Sequence, residues 1–243
     1  MTISVITPNW PAPSGVRAFT TTRRGGVSLP PYESLNLGDH VGDDPAAVSE
    51  NRSRLCLELN LPAEPRWLSQ VHGIRCCDAS KVDAPIEADA QFTDQTGVVC
   101  AVLTADCLPL LLCDAAGTRV AAAHAGWRGL LNGVIESSVQ AMGSGSELMA
   151  WLGPAIGPTA FEVGEEVREA FVSHDAAANA AFVPEGEGKW LADIYRLARQ
   201  RLAACGVNRV YGGELCTYSD PERFYSYRRD GETGRLASLI WLE

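Results

Sequence analysis

The stretch VVCAVLTADCLPLLLCDAAGTRVAAAHAGWR, residues 98–128, governs how the rest of the chain is read. It predicts an apolar strand, a polar break at Thr104-Ala105-Asp106-Cys107, a second strand, a turn and a third strand. The third strand stops at His124-Ala125-Gly126-Trp127-Arg128. Short breaks between apolar runs predict antiparallel neighbours, because parallel strands need a long crossover. A thiol and an imidazole each stand where a buried run ends, and loops at strand ends are where a rigid scaffold presents chemistry.

Upstream, residues 16–20 read as a strand leading into Thr21-Thr22-Arg23-Arg24-Gly25-Gly26. Two arginines before two glycines make either an anion cradle or a plain surface turn. Asp44-Pro45 opens a helix that runs to Leu59, with Val48, Leu55 and Leu59 at helical spacing. Residues 66–71 read as a strand that delivers His72-Gly73, and Asp78, Asp83, Glu87 and Asp89 follow before the central stretch. Downstream, residues 129–142 form an amphipathic helix with Leu130, Leu131, Val134, Ile135 and Val139 on one face. Helices at 165–172 and 191–204 and strands at 148–152, 209–211, 214–218 and 237–242 complete the reading. Strands and helices mingle without regular βαβ alternation, so residues 1–243 are expected to form a single α+β domain.

A formal net charge of −10 argues against nucleic acid and against an anionic membrane surface. The longest apolar run, 98–113, is broken by Asp106 and Pro109 and is too short to span a bilayer. The N-terminal segment has no positive charge before its apolar residues, unlike a secretory signal, and the protein is expected to be cytoplasmic. Its eight cysteines are then expected to be reduced thiols, Cys100 and Cys113 among them as small core residues. No obligate protein partner is evident; the expected partners are small molecules.

His72, Cys107 and His124 lie 35 and 17 residues apart. Two imidazoles and a thiolate suit Zn²⁺, and such spacing reads as ligands gathered from separate strand ends with a fourth position left open, the mark of a catalytic zinc. A closed site completed by Cys76 or Cys77 is the alternative. Around this centre, Gly126, Trp127 and Arg128 begin a helix whose N–H groups and guanidinium favour phosphate, and Trp127 either stacks on a base or caps the core. Asp106 orients a ligand histidine, carries a proton, or caps the strand break.

The motifs TTRRGGVS, SLNLGDHVGD, ENRSRL, QVHG, ADAQFT, TADCLPLLL, VAAAHAGWRG, WLGPAIGP, FEVG and FYSYRRD occur in this order across nearly the full length. In these the chain resembles the YfiH family of laccase-domain proteins, described as polyphenol oxidases and as purine nucleoside phosphorylases. The resemblance implies β-sheets sandwiched between helices, with a cysteine-hydrolase-like relationship. It also implies zinc on the histidine of QVHG, the cysteine of TADC and the histidine of HAGWRG, here His72, Cys107 and His124. The family's Thr-Arg-x-Gly-Gly pattern carries over to Arg23.

The resemblance offers several chemistries, and the residues rank them. A multicopper oxidase consumes roughly ten histidines as ligands, whereas this chain has four; copper in place of zinc at the single site would support only weak oxidation. Phosphorolysis of a purine nucleoside (adenosine, inosine or methylthioadenosine) needs phosphate held beside C1′, which Arg23, Arg128 and Gly126 would supply. Adenosine deamination is a natural side activity of an open zinc site, with Asp106 as the acidic proton carrier. Two competing readings remain: an amidase acting on a cell-wall (peptidoglycan) precursor, with Cys107 as nucleophile and His124 as base, and a non-catalytic zinc-binding module.

Overall fold

Alternating side chains along the central apolar runs generate two buried faces, and two stacked sheets use them. The computed structural model describes residues 2–82, 84–143 and 145–243; Asp83 lies outside the described residues. The chain begins with β1 (Val5–Ile6), β2 (Val16–Thr21), α1 (Pro45–Glu58), β3 (Cys76–Asp78) and β4 (Ala90–Thr93). The central stretch supplies β5 (Cys100–Thr104), β6 (Leu108–Asp114) and β7 (Val120–Ala125), then α2 (Trp127–Asn132) and α3 (Val134–Met142). Next come β8 (Leu148–Leu152), β9 (Glu162–Gly164), α4 (Glu165–His174), β10 (Phe182–Gly186) and β11 (Lys189–Ala192). The chain closes with α5 (Ile194–Ala204), β12 (Arg209–Gly212), α6 (Tyr227–Asp230) and β13 (Leu236–Leu242).

The fold is α+β. Its larger sheet runs β12-β8-β6-β7-β4-β3, a second runs β1-β2-β13-β5, and a small third runs β10-β11-β9. On β6 and β7, Leu108, Leu110, Leu112, Ala121, Ala123 and Ala125 pack with Ile135 and Val139 of α3 and Leu197 and Leu202 of α5. The intervening residues Leu111, Cys113, Val120 and Ala122 turn the other way and meet Cys100, Val102 and Ile240 of the four-stranded sheet. The far side of that sheet, Phe19, Ala101, Leu103 and Leu239, is covered by Leu55 of α1 and by Leu35 and Leu37. The layers are therefore helix, sheet, sheet, helices. No helix among the described residues is long and apolar enough to cross a membrane.

Several local expectations need correction. β6 and β7 are antiparallel neighbours, with Leu111 opposite Ala122, but β5 does not adjoin β6. It pairs with β13 in the other sheet, Val102 opposite Ser238, so the break 104–107 is a crossing between layers. Asp106 turns that corner at φ +83°. The helix expected at 129–142 is two: Gly133, at φ +110°, ends α2 and starts α3. Residues 66–71 make only isolated bridges, Arg66 with Cys100 and Ser69 with Glu87. Residues 214–218 likewise contribute a single bridge, Ala155 with Cys216. The helix predicted from 191 starts at Ile194, because Lys189–Ala192 is a strand and Asp193 caps the helix by accepting from the Arg196 N–H at 2.9 Å.

Candidate metal centre

The crossing from β5 to β6 and the end of β7 meet at one margin of the space between the two large sheets. On β7 the residues facing the helices are Ala121, Ala123 and Ala125, so His124 faces the sheet interlayer. In the β6–β7 register Leu108 lies opposite Ala125, which sets Cys107 across from Gly126. A Cβ built on Gly126 would stand 2.9 Å from Cys107 Sγ and 2.8 Å from His72 Cδ2. Only glycine leaves His72 and Cys107 room to converge.

His72 arrives from a turn that a buried carboxylate shapes. Asp89, fully buried, accepts the backbone N–H groups of Val71, His72 and Gly73 at 3.2, 2.9 and 2.6 Å. Those bonds hold His72 at φ +59°, a conformation that costs a side-chain-bearing residue about 1 kcal/mol or more without such support. Asp89 Oδ1 also lies 2.8 Å from His124 Nδ1. One ring nitrogen of His124 is thereby committed and Nε2 is left for the cluster. Orientation of a ligand histidine by a carboxylate is a recurrent support of metal sites.

The ligand atoms of His72, Cys107 and His124 lie within 4.8 Å of one another. Cys107 Sγ is 3.8 Å from His72 Nε2, and the two imidazoles meet edge to face with centroids 4.7 Å apart. A tetrahedral zinc with ordinary bond lengths would separate S from N by about 3.6 Å, so the donor set and its spacing fit such an ion. Burial works against a charged Cys107, but His124 and then His72 outweigh it and draw the thiol down to about 6. Burial likewise opposes a charged His124, yet the Cys107 sulfur and Asp89 raise that ring to about 9. Without a metal these opposed shifts favour a thiolate beside an imidazolium. Cys76 and Cys77 do not belong to the cluster; burial pushes Cys76 up to about 12.

The cluster floors a cleft of about 540 Å³, within the range of small-molecule sites. Leu103, Ile156, Phe161, Trp127 and Tyr227 give it apolar and aromatic walls, and Arg128, Arg228 and Arg235 bring positive charge. Arg128 is exposed and stacks on Trp127, its guanidinium carbon 4.4 Å from the ring centroid. Gln70 bonds both the carbonyl and the N–H of Leu103 at 2.7 Å with its side-chain amide, pinning the His72 turn to β5.

Two residues singled out in the sequence do other work. Arg23 does not line the cleft; it donates to the carbonyls of Glu33 and Pro221 at 3.0 and 3.2 Å and lies 4.8 Å over Tyr225. The turn that looked like an anion cradle ties loops together. Asp106 lines the cleft, but its carboxylate accepts from Thr217 Oγ1, Ser226 Oγ and the Arg228 N–H at 2.6, 3.0 and 2.7 Å. The acid that orients a histidine is Asp89, which the sequence offered only as one of several acidic residues.

Known proteins match the chain over nearly its whole length. A family model described as multi-copper polyphenol oxidoreductase laccase matches residues 17–243. The chain is 59% identical over 243 residues to the purine nucleoside phosphorylase YfiH of Escherichia coli, with 98% of each chain covered. It is 59% identical over 240 residues to a purine nucleoside phosphorylase of Pseudomonas aeruginosa, again with 98% of each covered. A crystal structure of a Neisseria meningitidis protein matches with a TM-score of 0.96 at 51% identity, covering 98% of this chain and 99% of that one.

Proposed function

From the premise that this chain belongs to the multi-copper polyphenol oxidoreductase laccase family, YfiH proteins among its relatives, we propose that it is a metal-dependent purine nucleoside phosphorylase. The observation that carries this reading is the joint placement of a three-donor cluster and three arginines in one cleft with aromatic walls. His72, Cys107 and His124 would hold the ion, Zn²⁺ by the chemistry of the donor set, with copper the alternative. When bound, the ion would supply Lewis-acid polarisation.

The reaction is displacement at C1′ of adenosine or inosine. A phosphate oxygen bonds to C1′ as the C1′–N9 bond breaks, and the bonding pair leaves with the purine, which takes up a proton. The products are free base and ribose 1-phosphate. Trp127, Phe161 and Tyr227 offer faces for the base, and the arginines offset the charge of the phosphate. Adenosine deamination is proposed as a side activity of the same cleft.

A second reading has its own support. Cys107, His124 and Asp89 stand in the order nucleophile, base and orienting carboxylate, the arrangement of a cysteine amidase. The two uses exclude each other, since a thiolate held by a metal is not a free nucleophile.

The test is metal analysis of protein purified without added metal, followed by base release from adenosine and inosine with and without phosphate. The phosphorylase reading expects release that needs phosphate, stops on chelation and returns with zinc. Zinc near one per chain with no base released at any phosphate level overturns it. Hydrolysis of an amide substrate that survives complete chelation and is lost in Cys107→Ala establishes the amidase instead.

A further inference from the structure

The arginines of the cleft are not equivalent, and Arg235 is the one built into place. Its backbone N–H donates to Asn36 Oδ1 at 2.9 Å, and the same oxygen accepts the Gly38 N–H at 2.9 Å. Its stem lies against Gly38, where an added Cβ would come within 2.7 Å of Arg235 Cγ. Its Nη1 donates to the carbonyls of Thr233 and Gly234 at 2.9 and 3.0 Å. Those two bonds use both Nη1 protons. The Nε–H and the Nη2 protons have no partner among the described residues, and no carboxylate pairs with the guanidinium among them.

A half-buried guanidinium with no direct ion pair is costly, and Cys107 and Asp106 act on this one only through space. The edge left over, Nε with Nη2, is the side-on fork that matches two oxygens of a carboxylate or phosphate.

We infer that the Nε–Nη2 edge of Arg235 is a binding site for a tetrahedral oxyanion, inorganic phosphate in the reaction proposed above. Its role as the co-substrate site rests on the phosphorylase reading; the anion site rests on the geometry alone. Arg128 and Arg228 line the same cleft, Arg228 with its Nη1 on the Glu162 carbonyl at 2.9 Å.

Calorimetric titration of inorganic phosphate into the protein as purified, with no nucleoside present, tests the site directly. Arg235→Gln is expected to weaken binding at least about tenfold, the scale of losing a charge-assisted hydrogen bond. Arg235→Lys is expected to do nearly the same, because an ammonium cannot form the fork. Arg24→Gln, at a side chain paired with Glu222 outside the cleft, is expected to bind as the wild type does, and melting curves exclude misfolded variants. In turnover, Arg235→Lys is expected to raise KM for phosphate about tenfold and leave KM for nucleoside within about twofold.

Wild-type binding strength in both Arg235 variants, or no phosphate binding by the wild type, overturns the site. Arg235-dependent phosphate binding without any release of base upholds the site and removes the phosphorylase reading. Phosphate-dependent release with an unchanged phosphate KM in Arg235→Lys does the reverse.

Discussion

At the scale of single residues the candidate centre depends on how one buried carboxylate and one thiol are placed. Asp89→Asn keeps the shape but turns an amide NH₂ toward donors, so His124 loses its anchor and the 71–73 turn loses an acceptor. Metal affinity is expected to fall 10- to 100-fold, the usual effect of removing such a support, and competition with a chromophoric chelator measures it. The thiol gives a second expectation. In chelator-treated protein Cys107 should alkylate along a curve with its midpoint near pH 6, since the thiolate is the reactive form and its acidity is drawn down to about 6. The rate should fall about tenfold per unit below that midpoint and level off above it. Burial holds Cys56, Cys76, Cys113 and Cys205 above the ordinary thiol range, so peptide mapping at pH 7 should find Cys107 modified first. A midpoint near 9 would refute the pairing of thiolate and imidazolium. His72, Cys107 and His124 could be picked out of the sequence because each stands where an apolar run stops, although the run before His72 forms only isolated bridges. Asp89 could not, because acidic residues near strand ends are common, and only the pairing of β4 with β7, Ala90 opposite Ala123, carries it to His124.

At the scale of elements, the runs that bury side chains on alternate faces were legible and the pieces fixed by turns were not. β2, β6, β7, β8 and β13 follow apolar runs, whereas α1, α4 and α5 are mostly polar and bury a stripe at helical spacing, such as Val48 with Leu55 and Val167 with Phe171. By contrast, β10 is mostly exposed, contains Pro184 and Gly186, and pairs only with β11; its sequence reads as loop because no apolar pattern marks it. The break at Gly133 was hidden for the opposite reason. Leu130, Val134 and Ile135 keep a helical stripe across it, so periodicity alone joins α2 to α3. The glycine is required by conformation, not by space: an added Cβ meets nothing closer than Glu136 Oε2 at 3.5 Å, but φ is +110°. Gly133→Ala is therefore expected to cost about 1–2 kcal/mol. At this chain length that lowers the melting temperature by about 2–8 °C, as circular dichroism would record. No change, or a gain, would mean that the two helices can fuse, with α2 and Arg128 displaced from the cleft.

At the scale of the whole molecule the cleft is a meeting of segments far apart in the chain, and Asp106 shows what holds them. Asp106 sits on the crossing between the two sheets, and its carboxylate reaches Thr217, Ser226 and the N–H of Arg228, residues 111, 120 and 122 positions away. Its carbonyl also accepts the Ile156 N–H at 2.9 Å. This one corner thus ties the layer crossing to the loop that bears Ile156 and to the segment that carries Tyr227 and Arg228 into the cleft. Asp106→Asn separates a tether from a proton carrier. Asn tolerates the positive φ about as well as Asp does, so the backbone is not the variable. Its NH₂ would face donors, leaving at least one of them buried and unpaired at about 1–3 kcal/mol. A tether therefore predicts a melting temperature lower by about 2–12 °C and a raised KM, as the Arg228 wall loosens, with kcat kept within about tenfold. A proton carrier predicts the reverse pattern: an unchanged melting curve with kcat reduced by about 10²–10⁴. Thermal denaturation and steady-state kinetics on the same preparation distinguish them, and the three occupied acceptor positions of Asp106 lead us to expect the first.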